Sequence, residues 1–353
     1  MSSAKVSENA VRKSDHIRIA LTEDVEFRTV TTGLERCSLP YEALPEISRG
    51  EVDTATSLFG RWLSMPLIIS SMTGGTDDGR AYNRIFAEAA QRFNIAMGVG
   101  SQRVALENPD LANTFQVRDI APDILLFANL GAVQLNNGCD VESCVRAVEM
   151  IDADALILHL NPLQESVQPG GDTNYRGLAA RIREVCANVG VPVVVKEVGH
   201  GISGRTAELL SEAGVDCIDV AGAGGTSWAK VETYRAAHFP TAAGGQRGDG
   251  DADYSPLVEI GIPTAESLLA VRESAPGAVI IASGGIRGGE DIAKSIALGA
   301  SAAGMALPLL KAASQSPEAL AELLARIREE LITAMFCAGA RTVEELKTTT
   351  LRH

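Results

Sequence analysis

The chain has no excess of basic residues: its 353 residues carry 31 Lys and Arg against 45 Asp and Glu, a formal net charge of −14. Binding along a nucleic acid needs clustered cations to neutralise phosphates, so no nucleic-acid partner is expected. A local basic pocket can still hold a small anion against the overall field. No apolar run approaches the ~20 residues that span a bilayer, and MSSAKVSENAVRKSDH at the start has no secretory apolar stretch. The cysteines Cys37, Cys139, Cys144, Cys186, Cys217 and Cys337 never form a CxxC pair. Such spacing points to reduced thiols rather than a disulfide frame or zinc site, so a cytoplasmic protein without a membrane partner is expected. His16, His200, His238 and His353 show no ligand spacing such as HExxH, and the last three read as structural or exposed. Internal repeats and coiled-coil heptads are also missing.

What is present is an alternation. Short apolar, β-rich runs begin near Pro66, Ile95, Ile124, Ala155, Val193, Cys217, Ala278 and Ser301. Each is nearly continuously apolar, as parallel strands buried on both faces require. Amphipathic stretches over 79–93, 174–189, 203–213 and 286–299 separate them. Eight β/α units in succession predict a (β/α)8 TIM barrel, with a doubly wound open sheet as the competing arrangement. The expected organisation is an N-terminal extension over 1–65 capping the barrel, the barrel over 66–310, and C-terminal helices over 311–353. Within the extension RKSDHIRIAL reads as a short helix and TATSLF as a strand. The tail reads as two helices on the barrel base. An insertion around 238–256, Gly- and Asp-rich over 242–254, reads as a mobile surface loop or lid.

Barrel sites lie at the C-terminal strand ends, and those ends are polar and glycine-rich: SSMTGG (70–75), GSQR (100–103), Asn129, HLNPLQE (159–165), KEVGHG (196–201), DVAGAGGTSW (219–228), SGGIRGG (283–289) and MALP (305–308). SGGIRGG follows a strand and opens a helix, so its amides can face an anion, and loops after the seventh and eighth strands of barrels commonly hold phosphate. GAGGTS on the neighbouring strand brings a second set, with Thr226 adding a hydroxyl. Neither loop is a Walker motif or a complete GxGxxG, which favours a mononucleotide on a barrel over a dinucleotide on a Rossmann unit. Lys196 closes an apolar strand and needs an anion. A flavin ring, an ion pair with Glu197 or Asp219, and Schiff-base chemistry all satisfy that need. His159 and Gln164 offer hydrogen bonds to substrate oxygens. Glu165 alone is a poor all-protein metal site, but suits magnesium that completes its shell with substrate phosphate and water. RKSDH (12–16) has the charge pattern of a solvated helix face, with a cationic cap over an anion as the alternative.

Together these segments, from RKxxH at 12–16 to MALP at 305–308, resemble the flavin-dependent type 2 isopentenyl-diphosphate delta-isomerases; HLNPLQE with RKxxH is specific to that family. The resemblance implies a barrel holding FMN, with Mg2+ bound through a substrate diphosphate and NADPH or NADH needed only to reduce the flavin. FMN contacts fall on Ser70, Ser71, Met72, Thr73, Ser101, Asn129, Lys196 and Thr226, with Gly284, Gly285, Ile286, Arg287, Ala306 and Leu307 on the phosphate side. Substrate contacts fall on Arg12, Lys13, Ser101, Gln102, Arg103, His159 and Gln164. Glu165 takes the metal. Gln164, His159 and Glu232 form the catalytic set, Glu232 matching an acidic residue near the flavin. The implied reaction converts isopentenyl diphosphate to dimethylallyl diphosphate with no net redox, in a homo-oligomer (tetramer or octamer). The alternative on the same barrel is an FMN-dependent 2-hydroxy-acid oxidoreductase, whose catalytic His follows a later strand than the one carrying His159.

Overall fold

A computed structural model describes residues 3–238 and 256–352. Two short antiparallel strands, β1 (Thr56–Leu58) and β2 (Arg61–Leu63), precede eight parallel ones. These are β3 (Leu67–Ile69), β4 (Ala96–Gly98), β5 (Leu126–Gly131), β6 (Ala155–Leu160), β7 (Val193–Glu197), β8 (Cys217–Asp219), β9 (Val279–Ser283) and β10 (Ala302–Met305). They pair in sequence order and close where β10 meets β3, so the chain is a TIM barrel and the open-sheet arrangement is excluded. All eight apolar runs of the sequence supply barrel strands.

Alternate strand residues face opposite sides. Ile68, Ala96, Phe127, Ala155, Ile157, Val194, Cys217, Ile281 and Ala302 fill the interior, while Leu67, Ile69, Leu126, Leu156, Leu158, Val193 and Val195 join the core beneath the helices. The β1–β2 hairpin closes one end of the interior: Leu58 and Leu63 enter the same cluster, and the Phe59 ring stands edge-on to Phe127 at 6.3 Å. Its turn, Phe59–Gly60, has φ of 49° and 75° at its two residues, the conformation that tight hairpins favour. The sequence reading foresaw a strand in TATSLF but not its partner, because RWL is too short to show an alternation.

Two helical expectations change. The helix predicted over RKSDHIRIAL begins earlier, as α1 (Ser3–Thr22). The C-terminal helices lie in the wall rather than on the base. After α2 (Asp77–Phe93), α3 (Arg103–Glu107), α4 (Val141–Ile151), α5 (Pro162–Val167), α6 (Leu178–Asn188), α7 (Gly204–Glu212), α8 (Trp228–His238), α9 (Thr264–Ser274), α10 (Gly289–Ala297) and α11 (Leu307–Ala313) come α12 (Pro317–Cys337) and α13 (Val343–Lys347). α12 buries Leu320, Leu324, Ile327, Leu331 and Met335, a stripe of helical period. That stripe packs on α10, α11 and α2, completing the outer helical ring beside the last strand. α1 packs on α8, and Ile19 of α1 clusters with Val231 of α8, with Val25 just after α1 and with Leu307 of α11. The expected lid at 242–254 lies outside the described residues. No helix among the described residues is long and apolar enough to cross a membrane.

Candidate active site

Three adjoining lobes open where the eight barrel strands end. The first, about 140 Å³, is lined by Arg12, Lys13 and His16 from α1 and by Ser101, Arg103, Asn129, His159, Gln164 and Glu165 from strand ends. The second, about 70 Å³, is more apolar: Ile17 and Ala20 of α1 meet Met72, Thr73, Ala306, Leu307 and Leu310. The third, about 80 Å³, lies among Ser70, Lys196, Thr226, Gly284, Gly285, Ile286 and Arg287. Ser71 and Trp228 line all three, so the lobes are continuous. A larger groove of about 800 Å³ runs along α12 on the outer wall, but of the strand-end loops it meets only Arg287 and Gly288.

The third lobe is built by backbone contact. Gly284 and Gly285 have φ of 95° and 72°, and a Cβ on Gly284 would stand 2.1 Å from the Gly222 carbonyl oxygen. The two glycine loops therefore touch with no room for a side chain between them. Lys196 ends β7 buried, its ammonium 3.3 Å from Asp219 and donating to Ser283 Oγ at 3.1 Å and to the Glu197 carbonyl at 3.0 Å. Of the two ion-pair partners considered from sequence, Asp219 is the one engaged. The Glu197 carboxylate instead accepts from the backbone amides of Val198, Gly199 and His200. Arg287 pairs with Glu26. Ser71 Oγ and Thr73 Oγ1 are buried without hydrogen-bond partners among the described residues. Unpaired buried hydroxyls carry a desolvation cost, and the ribityl and ring oxygens of a flavin would remove it.

In the first lobe the groups hold one another. His159 Nδ1 meets Asn129 Oδ1 at 2.8 Å. Burial first, then the charges of Lys196 and Lys13, pull the imidazole down to about 4, so it is neutral near pH 7. With Nδ1 donating to the amide oxygen, Nε2 is left as an acceptor. Asn161 Nδ2 donates to both Gln164 Oε1 and Glu165 Oε1 at 3.0 Å, and Gln164 Nε2 donates to Glu232 Oε1 at 3.1 Å. Gln164 is thereby fixed at both ends. Lys13 donates to the Ser101 carbonyl at 2.6 Å and lies over the Phe115 ring at 4.9 Å. Loss of water around its ammonium, with Arg12 alongside, pulls Lys13 down to about 7. Arg12 is also lowered, by burial first, and its Nε has no partner among the described residues.

Two sequence-predicted roles need correction. Gln102 is fully buried, and its side chain faces away from the lobes. Its Nε2 donates to the Ala147 carbonyl and its Oε1 accepts from the Asn129 amide, so it supports the strand end from behind. Glu232 is likewise fully buried and lines none of the three lobes. It receives His16 Nε2 at 2.8 Å, Gln164 Nε2 and Arg235 Nε at 2.8 Å. Burial alone would raise its carboxyl, but the hydrogen bonds and charges of His16 and Arg235 outweigh it and bring it to about 2. Glu232 thus meets the lobes only through His16 and Gln164. His16 and Trp228, whose rings stand edge-on at 5.2 Å, are lining residues that the sequence reading left without a role. A signal for His16 existed: it lies four residues after Arg12 and three after Lys13, so all three share one helix face.

Comparison with known proteins follows this geometry. Residues 178–353 match the family model described as FMN-dependent dehydrogenase. A Nostoc protein is 52% identical over 95% of this chain and 93% of its own length. A Rickettsia akari protein is 47% identical over 97% of each. Both carry the name isopentenyl-diphosphate delta-isomerase. Among solved structures, a mandelate oxidase variant with an FMN adduct superposes with a TM-score of 0.65 at 18% identity, over 99% of both chains. A Pediococcus acidilactici protein described as a putative lactate oxidase gives 0.64 at 16% identity, over 99% of this chain and 93% of that one. At those identities the likeness concerns the fold alone.

Proposed function

We propose how the barrel mouth works from the premise that this chain belongs to the isopentenyl-diphosphate delta-isomerase family. It is an isomerase that converts isopentenyl diphosphate to dimethylallyl diphosphate in isoprenoid biosynthesis, with FMN as its cofactor. The third lobe suits the FMN phosphate end, with glycine amides and Arg287; the unpartnered hydroxyls of Ser71 and Thr73 and the Lys196 ammonium suit the remainder. When bound in its reduced form, after reduction by NADPH or NADH, FMN supplies the acid and base that an unactivated alkene needs, with no net redox. Arg12, Lys13 and Arg103 bind the diphosphate, and the neutral His159, its Nε2 left as an acceptor, meets it through a water. Gln164, locked between Asn161 and Glu232, orients the substrate rather than titrating. The apolar second lobe, with Trp228 at its edge, keeps water from the tertiary cation. Magnesium fits only with the diphosphate: among the described residues no three His, Cys, Asp or Glu side chains gather as a metal site, and Glu165 is the carboxylate offered. The chain works in the cytoplasm as a tetramer or octamer, where burial of the exposed Tyr41, Leu44 and Trp62 would favour association.

One observation carries this reading: three cationic groups, Arg12, Lys13 and Arg103, and the Glu165 carboxylate share a lobe continuous with the glycine-built one. The test is turnover of isopentenyl diphosphate with added FMN and Mg2+, compared under air and after dithionite reduction. Product only with reduced FMN, and no consumption of reductant per turnover, is expected. The 2-hydroxy-acid oxidoreductase alternative requires stoichiometric redox.

Two further results are expected. Glu165→Gln should keep the fold and FMN while activity at a fixed low Mg2+ concentration falls roughly tenfold or more. An unchanged magnesium titration would make Glu165 a loop residue. The pH dependence follows from Lys13. As pH rises through about 7 the free enzyme loses this ammonium, so kcat/KM for the diphosphate should decline on the alkaline side. Lys13→Arg keeps a charge that does not titrate there, and the alkaline limb should flatten.

A further inference from the structure

Gln134 belongs to a short 3-10 turn, Ala132–Asn136, that follows β5, and it is 5% exposed. Its Nε2 donates to Asp172 Oδ2 at 2.9 Å. Its Oε1 is buried with no partner among the described residues, on a side chain that lines the first lobe beside Glu165 and Arg103. Asp172 is the common neighbour of all three. Its Oδ2 also accepts from Arg103 Nη1 at 2.9 Å, and its amide donates to Glu165 Oε2 at 2.7 Å. The loop reaches Glu165 this closely because residue 171 is glycine: a Cβ there would stand 2.0 Å from the Glu165 carbonyl oxygen.

The chemistry of the unpartnered atom decides what it needs. Oε1 is an acceptor and requires a donor. An ionised diphosphate has only acceptors, and among the described residues no protein donor reaches this atom: the hydrogen bonds of Arg103 run to Glu107 and Asp172, and those of Asn161 to Gln164 and Glu165. The water shell of a hard divalent cation is a donor. Magnesium dehydrates reluctantly and keeps several such waters, which outer groups then orient.

We infer that Gln134 and Asp172 are positioning residues for the metal–diphosphate end of the site, with Gln134 Oε1 accepting from a magnesium-bound water. Asp172 draws the amide nitrogen of Gln134 to itself, which leaves the oxygen free. Through the same carboxylate it holds Arg103, and through its amide it holds Glu165. A cation, a neutral acceptor and an anion are thereby set by one loop residue. The inference rests on the proposed use of magnesium and adds two residues to it.

The test uses FMN-loaded, oxidised protein and inorganic pyrophosphate as the probe, titrated calorimetrically at several Mg2+ concentrations. In the unmodified protein Mg2+ should tighten pyrophosphate binding. Gln134→Met keeps the volume and removes the acceptor together with the Nε2 donor to Asp172, which Arg103 still holds. It should require roughly tenfold or more Mg2+ for the same tightening, with metal-free pyrophosphate affinity, FMN affinity and Tm unchanged. Asp172→Asn should show the same magnesium defect although Gln134 is still present, and should also weaken metal-free binding through Arg103. A wild-type magnesium dependence in Gln134→Met overturns the inference. If that variant does not fold, a wild-type dependence in Asp172→Asn overturns it instead. Absence of any magnesium effect in the unmodified protein would remove the metal from the proposed function itself, and the inference with it.

Discussion

The double variant Arg12→Ala, Lys13→Ala is expected to raise the apparent KM for isopentenyl diphosphate by at least a hundredfold, with FMN affinity unchanged. Each charge-assisted contact to a phosphate is worth roughly 1.5–3 kcal/mol, or tenfold and more per residue. Both side chains line the first lobe and neither lines the glycine-built third, so the loss should follow substrate and spare the flavin. Lys13 is already oriented by the Ser101 carbonyl and Phe115, so binding need not order it. Arg12 Nε is buried without a partner among the described residues, and a phosphate oxygen would remove that desolvation cost. Substrate kinetics and flavin fluorescence titration read the two affinities separately. Kinetics equal to the unmodified protein would make α1 an ordinary solvated helix, and would leave the diphosphate to Arg103 and magnesium.

That segment also marks how far residues alone could lead. By composition RKSDH is a solvated helix face; only its resemblance to a family motif assigns it to substrate, and the folded chain brings it over the strand ends. The eight barrel strands were legible because burial on both faces leaves a continuous apolar run, and SGGIRGG and GAGGTS were legible because their glycines fall at strand ends. Side-chain direction was not. Gln102 and Arg103 are adjacent in GSQR, yet Gln102 turns into the core toward Ala147 while Arg103 reaches the lobe. No periodicity applies within a turn of four residues. The family resemblance alone places Glu232 in the catalytic set, as an acidic residue near the flavin. Its contact with His16 spans over two hundred residues of sequence, and such a pair has no local signature. Gln134 and Asp172 have even less, being single polar residues in loops. The tail was misplaced because an amphipathic stripe shows which face is buried and not which surface covers it.

Gly284→Ala is expected to abolish measurable FMN binding at micromolar cofactor and to lower Tm. Two costs combine. At φ +95° a residue with a Cβ is strained, roughly 1–3 kcal/mol for a sparsely populated backbone conformation. The added carbon would also lie 2.1 Å from the Gly222 carbonyl oxygen and 2.5 Å from its nitrogen, and backbone cannot swing aside as a side-chain tip can. Gly222 is itself fixed by its amide donating to the Ser283 carbonyl at 2.8 Å, and the Gly284 carbonyl receives Thr264 Oγ1 at 2.7 Å. Relief therefore demands that the loops after β8 and β9 separate. They are the loops that bring Thr226 on one side and Gly285 with Ile286 on the other to the third lobe. A displacement of even 1 Å removes several contacts to the cofactor together, whereas loss of a single side-chain contact removes one. Gly138→Ala separates the two costs. Gly138 has the same φ of +95°, but a Cβ there meets nothing within 4 Å, and it lines none of the three lobes. That variant should show only the conformational penalty in Tm, with flavin binding intact. Should Gly284→Ala bind FMN as tightly as Gly138→Ala, the contact between the two glycine loops would not be what shapes the flavin site.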